Sequence, residues 1–515
     1  MGALASNQNP FVYKRREPEK TLLYSALASG IESWLAERKD DTSKTPLPDF
    51  VEKEFRGFLR CGLLQYGFIV LECPGCKTNV PVAYSCKLRG FCPSCGAKRQ
   101  AETVSHLVDN VLPKAPFRQW VTTFPYQLRF WIVSAVREKT NRSLTNAVHK
   151  IVSKEIMAFY ERQAEDRGIK NALHGGSTFI QRFGSACNLN VHFHSIVIDG
   201  IFSVASGVPK FYQLRGPEDE EVGDIVIVIA DKIIAYLRQL NYLPAENDES
   251  GETTAPFDQE FADSEQLTVA AFASNSMKIA FGINAGKNVR RIGKTFGFTG
   301  EHALIKSTRC ASANGFTLHA NRYIGENERH KLEELLSYAA RPAFSHKRLS
   351  LKDPQDPDSD FVYELKAQWT DGTRAIQLSR EELFEKLAAL IPPPYIHLSR
   401  HFGVFSSSSK WRSKIVTRPQ VKKGFTLSKD KSSVERMSWS KLLARVFKID
   451  VLRCPVCLTR LNPDQWERVD TQPHIALMLV ALNIDPRPPP IVAAGDAGSR
   501  LITYDSECRY VDFDD

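Results

Sequence analysis

Near the N-terminus, apolar residues recur every three or four positions, the spacing of one helix face. Leu23, Leu27, Ile31 and Trp34 predict an amphipathic helix over 22–37, and Phe50, Phe55, Phe58 and Leu59 predict a second. The pattern then shifts. Arg118-Gln-Trp-Val-Thr-Thr-Phe-Pro125 is a β-branched and aromatic run closed by proline, and it reads as a strand. A long helical region occupies 142–167, and Gly175-Gly176 reads as a turn. Strands over 177–183 and 190–198 flank a Gly-Ser-Ala-Cys-Asn connector and read as a hairpin. Residues 225–240 are apolar and helical. Residues 245–266 are acidic and polar, which suits a surface insertion. The run Phe316-Thr-Leu-His-Ala320 resembles a short strand and precedes a helix over 326–341. Pro342 should end that helix, because proline pushes the residue before it out of helical geometry. Residues 353–360 form a loop, and no internal repeat is visible.

The length, 515 residues, exceeds one ordinary domain and suggests three to four. With 43% apolar and 25% charged residues, the chain can fold around real cores. No run approaches eighteen consecutive apolar residues, so a spanning helix is not expected. The first twenty residues lack the basic-then-apolar pattern of a signal peptide, so export is not expected. Lys plus Arg is 68 and Asp plus Glu is 59, a net +9. The Ser-rich window 406–436 holds nine basic and two acidic residues, which is +7 of that total. Such a localised excess suits a polyanion. Lys422 and Lys423 in this window, with Lys287, Arg290, Arg291 and Lys294, could track backbone phosphates or belong to solvated loops.

Eleven cysteines, an odd number with no export signal, fit metal ligation better than a disulfide framework. Cys73-Pro-Gly-Cys76 and Cys92-Pro-Ser-Cys95 are separated by fifteen residues, the spacing of one structural zinc site. Each pair turns two thiolates toward one point. Buried thiols are the plainer reading. Cys86 is a fifth candidate that could replace one of the four. Lys87, Arg89, Lys98 and Arg99 surround the cluster, as phosphate contacts or as a solvated rim. Cys454-Pro-Val-Cys457 has no partner pair nearby. His474 and Cys508 could complete a site, but their irregular spacing favours a structural turn over a second zinc.

In Asn190-Val-His-Phe-His-Ser-Ile-Val-Ile-Asp199, residues two apart share a strand face. His192 and His194 therefore project together. Two parallel imidazoles can hold one metal ion and leave positions open for a phosphate, although periodicity alone would leave them as incidental strand histidines. Gln181, on the preceding strand, could add an oxygen ligand, and His319 is its rival. Tyr338 lies near the end of its helix with Arg341 three residues on, hence on the same face. A phenol beside a guanidinium is a nucleophile constellation if a metal-bound phosphate reaches it, and otherwise a packed tyrosine.

The order of these motifs resembles the rolling-circle insertion-sequence transposases of the HUH endonuclease class, and most of all their common-region, single-tyrosine subgroup. The resemblance runs from about residue 22 to 450. It rests on Ser85-Cys-Lys-Leu-Arg-Gly-Phe-Cys-Pro-Ser-Cys95, Arg118-Gln-Trp-Val, Gln181-Arg-Phe-Gly, Asn188-Leu-Asn-Val-His-Phe-His194, Ser337-Tyr-Ala-Ala-Arg-Pro342, Trp369-Thr-Asp-Gly-Thr373, Pro392-Pro-Pro394 and Cys454-Pro-Val-Cys457.

The resemblance implies an α+β chain. Its parts are a zinc-ribbon-like N-terminal module, a ferredoxin-like HUH nuclease domain with a central antiparallel sheet, and helical C-terminal parts. The corresponding division is 1–60 helical, 61–112 zinc-binding, 113–345 nuclease with an insertion at about 241–314, 346–405 accessory, 406–436 basic linker and 437–515 a small C-terminal domain. It further implies Mg²⁺ or Mn²⁺ on His192 and His194, structural Zn²⁺, and Tyr338 as the nucleophile that nicks and rejoins single-stranded DNA at element ends. The setting would be a bacterial cytoplasm, with no membrane and an open oligomeric state. Two-tyrosine relatives carry a second tyrosine four residues later, where this chain has Pro342. A relaxase or replication initiator shares this chemistry, and a zinc-ribbon DNA-binding regulator with an inactive nuclease fold is the non-enzymatic alternative.

Overall fold

The computed structural model of the chain describes residues 11–12, 15–43, 45–134, 136–137, 142–243, 264–293, 305–394, 396–416, 449–450, 452–462, 464–494, 501–504 and 510–512. They fold as two compact units. One draws on both ends of the chain (residues up to 40, 49–105 and 425–515), the other on 41–48 and 106–424. The architecture is α+β, with antiparallel sheets and a cysteine cluster near the N-terminus. Among the described residues, no helix is long and apolar enough to cross a membrane.

In the first unit the helix expected over 22–37 is two helices, Leu22–Ala28 and Ile31–Asp40. Gly30, a poor helix former, lies between them. The Thr21 hydroxyl accepts the Tyr24 N–H at 3.3 Å and caps the first. The next helix, Asp49–Arg60, buries Phe55, Phe58 and Leu59 of the expected stripe together with Val51, while Phe50 is half-buried. A hairpin of Phe68–Glu72 and Asn79–Ala83 is extended by Trp466–Val469, from near the other end of the chain. Leu64, Phe68 and Val70 pack there against Val469, Ile475 and Leu479.

The second unit is built on seven antiparallel strands. Their order is Ile305–Ser307, Cys310–Ala313, Phe316–Ile324, Phe117–Thr123, Leu189–Ile198, Gly175–Phe183 and Ser399–Gly403. Helices Tyr126–Ser134, Leu144–Asp166 and Asp219–Gln239 cover the face that carries Trp120, Ile180, Val191 and Phe193. Alternation puts Gln119, Gln181, His192 and His194 on the opposite face. A smaller antiparallel sheet joins Arg290–Ile292, Ala375–Leu378, Phe361–Glu364 and Leu349–Leu351. Helix Arg380–Leu390 follows it, started by a reciprocal capping pair of Ser379 and Glu382.

Gly175 and Gly176 lie inside a strand rather than at a turn. A Cβ on Gly176 would come within 2.8 Å of Phe402 Cζ and Val197 Cγ1, and one on Gly175 within 2.8 Å of Phe402 O. Neighbouring strands close directly over this backbone, which only glycine permits. The acidic stretch expected over 245–266 lies mostly outside the described residues, and its last part opens helix Glu265–Asn275, capped by Ser264.

Buried charge ties the central strands together. Arg118 donates to both oxygens of Asp199 at 2.9 Å and to the Ala320 carbonyl at 3.0 Å. The Tyr160 hydroxyl donates to Asp199 at 2.8 Å. Both charged side chains are buried, so removing one strands the other without solvent. Asp199→Ala should therefore cost about 3–5 kcal/mol of unfolding free energy. Urea denaturation checks this, and a loss below about 1 kcal/mol, the size of a surface pair, would contradict it.

Candidate functional site

Strand register builds the site. Gln181 pairs directly with His192 across the hairpin of Gly175–Phe183 and Leu189–Ile198. His194 pairs with Val121 on the neighbouring strand. The two imidazoles lie 5.0 Å apart, centroid to centroid. Burial pulls His192 down to about 4, with help from the positive charge of Arg341 and Arg129. Burial pulls His194 to about 3, followed by His192, Arg341 and Lys366. Both rings are thus neutral near pH 7, and each offers a lone pair.

The hydrogen bonds around His192 call for a cation. Its Nδ1 donates to the Asn190 carbonyl at 2.9 Å, which leaves a lone pair on Nε2. That lone pair faces the Gln181 Oε1 at 3.1 Å. The Gln181 amide is held in this sense by its own nitrogen, which donates to the carbonyls of Tyr338 (3.2 Å) and Ala339 (2.7 Å). Two acceptors therefore point at each other, an arrangement that a shared metal ion resolves. At His194, the amide nitrogen of Gln119 stands 2.9 Å from Nδ1, and Nε2 is buried with no hydrogen-bond partner. Turning the Gln119 amide over, an isosteric change, lets its oxygen accept from Nδ1–H and frees Nε2 as a ligand. The donor set of two imidazoles and an amide oxygen thus fits a divalent ion, manganese more readily than magnesium on ligand type.

His319 is not brought to the pair. It sits opposite Val121, one strand beyond the one that pairs with His194, so two strand spacings, or about 10 Å, separate them. Among the described residues, no third His, Cys, Asp or Glu comes close enough to complete a site with the two histidines.

Tyr338 comes from helix Arg329–Ala339, whose Leu332, Leu335, Leu336 and Ala339 are buried. Arg329 anchors its N-terminal end by donating to the carbonyls of Val108, Leu112 and Pro113. The helix stops at Ala340, ahead of Arg341-Pro342. The Tyr338 ring stands perpendicular to His194 at 5.6 Å and is 42% exposed, so a ligand from solvent can reach it. Arg341 lies over the same ring at 4.5 Å, its Nη1 buried without a hydrogen-bond partner. Lys366 Nζ is 4.1 Å from the ring centroid. Burial lowers its ammonium pKa, as does Arg341, while the Tyr338 hydroxyl opposes this. Sequence reasoning missed Lys366 and Gln119. Lys366 lies in a loop just before the Trp369-Thr-Asp-Gly-Thr373 motif but carries no spacing signal of its own, and Gln119 reads simply as part of a strand.

Tyr323, fifteen residues before Tyr338 in the chain, is the other tyrosine that could serve as nucleophile; it pairs with Arg118 on the adjacent strand, and its hydroxyl accepts from Gln213 at 3.4 Å.

The cysteines regroup. Cys92 and Cys95 join Cys61 and Cys86, not Cys73 and Cys76. Sulfur separations in this set are 3.4 Å (Cys86–Cys95), 3.6 Å (Cys61–Cys92) and 3.7 Å (Cys61–Cys95). A tetrahedron with 2.3 Å zinc–sulfur bonds has edges of about 3.8 Å, so the set is sized for zinc. Cys61 follows helix Asp49–Arg60, and Cys92 and Cys95 sit at the start of helix Pro93–Asn110, whose dipole favours thiolates. Glu54 accepts the N–H groups of Arg89 (2.7 Å) and Gly90 (2.9 Å) and so fixes the loop from Cys86 to Cys92. Linear spacing misled because hairpin geometry, not sequence order, decides which sulfurs meet. Cys73 and Cys76 face Cys454 and Cys457 instead. His474 lies by Glu467 at 3.3 Å, and Cys508 is outside the described residues.

The expected DNA-contacting cations fall into four groups. Arg290 pairs with Asp360 (2.7 Å) and Glu382 (3.2 Å), and Arg291 with Asp371 (3.0 Å), so carboxylates already match their charge. Near the zinc-type cluster, Lys87 is exposed, Lys98 pairs loosely with Glu102 at 3.9 Å, and Arg99 donates to the carbonyls of Lys87 and Leu88. Lys287 donates to Asn284. Lys294, Lys422 and Lys423 lie outside the described residues.

Two protein-family models match the chain. One, described as "Putative transposase", covers residues 175–412, which contain Gln181, both histidines, Tyr338, Arg341 and Lys366. The other, a transposase zinc-binding domain, covers residues 33–124, which contain Cys61, Cys86, Cys92 and Cys95. These matches support an insertion-sequence transposase. No curated protein and no solved structure matches the chain. Transposase domains imply DNA as partner and DNA cutting with strand transfer as the activity. The zinc-binding match and the cysteine clusters together support structural zinc.

If Gln181 is a ligand as well as a brace for the tyrosine helix, Gln181→Ala should weaken Mn²⁺ binding roughly ten- to hundredfold. Electron paramagnetic resonance titration of free Mn²⁺ measures this, and an unchanged dissociation constant would remove Gln181 from the site.

Proposed function

We propose that the chain nicks and rejoins single-stranded DNA at the ends of a mobile element, with Tyr338 as nucleophile and a 5′-phosphotyrosine as intermediate. The observation that carries this reading is the Tyr338 ring set perpendicular to His194, on a sheet face where His192 and Gln181 turn two lone pairs toward each other. The antiparallel sheet with helices on its other face suits a ferredoxin-like HUH domain.

A divalent ion held by His192, His194 and Gln181 would supply Lewis-acid polarisation of the scissile phosphate. The chain's residues do the rest. Asn190 and Gln119 hold the two imidazoles in one tautomer and orientation. Gln181 ties the last turn of the tyrosine helix to the strand, so the phenol and the histidines stay in fixed relation. Arg341 and Lys366 place positive charge at the phenol, where charge builds as the hydroxyl loses its proton to solvent. The Tyr338 oxygen bonds to phosphorus, the bond to the 3′ oxygen breaks, and that oxygen leaves as a hydroxyl. Attack by another 3′-hydroxyl reverses these steps and restores the phenol. The phosphodiester energy is conserved throughout, so no nucleotide is consumed.

Two features shape the reaction. Pro342 stands four residues after Tyr338, so each chain carries one phosphotyrosine at a time. The three side chains that would hold the ion are neutral, so its charge would be balanced by the DNA phosphate. Metal and DNA should then strengthen each other's binding by the same factor.

Tyr338→Phe deletes the nucleophilic oxygen and keeps the ring. With Mn²⁺ and a single-stranded oligonucleotide carrying an element end, the wild type should give a protein–DNA adduct stable in denaturant. The variant should give none while still binding DNA. An adduct mapped to Tyr323, or one that persists in Tyr338→Phe, would overturn the assignment.

A further inference from the structure

Cys73, Cys76, Cys454 and Cys457 form a second four-thiol cluster, half of which lies outside the 33–124 segment matched as zinc-binding. Its two halves repeat the same local structure. In Cys73-Pro-Gly-Cys-Lys-Thr78, the Cys73 N–H donates to the Thr78 carbonyl at 2.9 Å and the Lys77 N–H donates to the Cys73 carbonyl at 2.9 Å. In Cys454-Pro-Val-Cys-Leu-Thr459, the Cys454 N–H donates to the Thr459 carbonyl at 2.9 Å and the Leu458 N–H to the Cys454 carbonyl at 3.0 Å. Lys77 and Leu458 both adopt left-handed backbone, at φ 60° and 61°. Each loop closes an antiparallel pairing of its flanking residues, Glu72 with Asn79 and Arg453 with Arg460. Each second cysteine has a threonine hydroxyl 3.2 Å from its sulfur, Thr78 for Cys76 and Thr459 for Cys457, placed to donate to a thiolate.

The two loops face each other reciprocally. Cys73 Sγ lies 3.4 Å from Cys457 Sγ, and Cys76 Sγ lies 3.5 Å from Cys454 Sγ. These separations are close to the edges of a zinc tetrathiolate and far longer than a disulfide bond of about 2.0 Å. The approach is tight. A Cβ on Gly75 would sit 2.7 Å from Thr459 Oγ1, so a side chain there would push Thr459 aside. Cys73 and Cys454 are buried over Leu71, Val80 and Leu461, while Cys76 and Cys457 are exposed.

We propose that this cluster is a second structural zinc site, a clasp of two matching knuckles. It makes the zinc-binding unit discontinuous, with residues 449–492 as a required part fastened to the N-terminal hairpin. The clasp adds to the apolar contacts of Val469, Ile475 and Leu479 with Leu64, Phe68 and Val70, which already join these segments. The set of Cys61, Cys86, Cys92 and Cys95, in which only Cys86 is partly exposed, keeps its metal longer than the clasp, whose two exposed sulfurs admit a chelator. None of this depends on the identity of the nucleophile or on DNA chemistry.

The test is metal content and thiol accessibility in the full chain. Elemental analysis of protein purified under reducing conditions should give two zinc ions per chain, matching the two clusters, and Cys454→Ser with Cys457→Ser should give one. One zinc in the wild type, or two in the double variant, overturns the proposal. If the double variant fails to fold, alkylation of the wild type decides. With zinc bound, Cys76 and Cys457 should resist N-ethylmaleimide despite their exposure, and brief chelation should release them before Cys61 or Cys86 reacts. Equal labelling of Cys76 and Cys457 before and after chelation overturns the clasp, as does their isolation as disulfides from reducing buffer.

Discussion

The amide of Gln181 joins the two halves of the candidate active site. Its nitrogen is committed to two carbonyls at the end of the tyrosine helix, and this forces its oxygen toward His192. A single side chain therefore sets the distance between a strand that carries two imidazoles and a helix that carries a phenol. The arrangement also has an electrostatic deficit, since two lone pairs face each other in a buried place. Positive charge must enter for the site to be satisfied. Arg341 and Lys366 meet this demand only at the phenol side. A divalent ion held by these side chains would meet it, and an anionic substrate would then balance the accumulated charge.

The rest of the second unit serves to hold that register. Arg118, Asp199 and Tyr160 fix the strand beside the histidines to a helix on the other face. Phe193, between the two histidines, is fully buried and meets Phe124 edge to face at 4.9 Å. A slip of one residue would turn both imidazoles into the apolar layer and Phe193 out of it. The first unit solves a different problem, joining segments from both ends of the chain. Cysteine clusters add to its apolar cores, and the meeting of Cys73 with Cys457 spans 384 residues.

Much of this was legible from residue order. Period-four apolar stripes mark the helices, and the alternation of Asn190-Val-His-Phe-His places both histidines on one face. Other features depend on contacts that a linear pattern does not contain. Gly175-Gly176 resembles a turn until Phe402 is seen packed on it from a strand more than two hundred residues away. The zinc spacing between Cys73 and Cys95 suggested one site, whereas the sulfurs separate into two sets because Cys61 and the distant Cys454 and Cys457 compete for them. Lys366 sits at the phenol through tertiary folding of a loop, and Arg290 and Arg291, basic in sequence, are matched by carboxylates in the fold.

The central claim is that His192, His194 and Gln181 share one divalent ion facing Tyr338. Anomalous diffraction from crystals of the full chain grown with Mn²⁺ tests it directly. The account predicts one manganese peak about 2.2 Å from His192 Nε2, His194 Nε2 and Gln181 Oε1, on the side of the sheet that bears Tyr338. An empty site at saturating manganese, or a peak that involves His319 in place of Gln181, would contradict it.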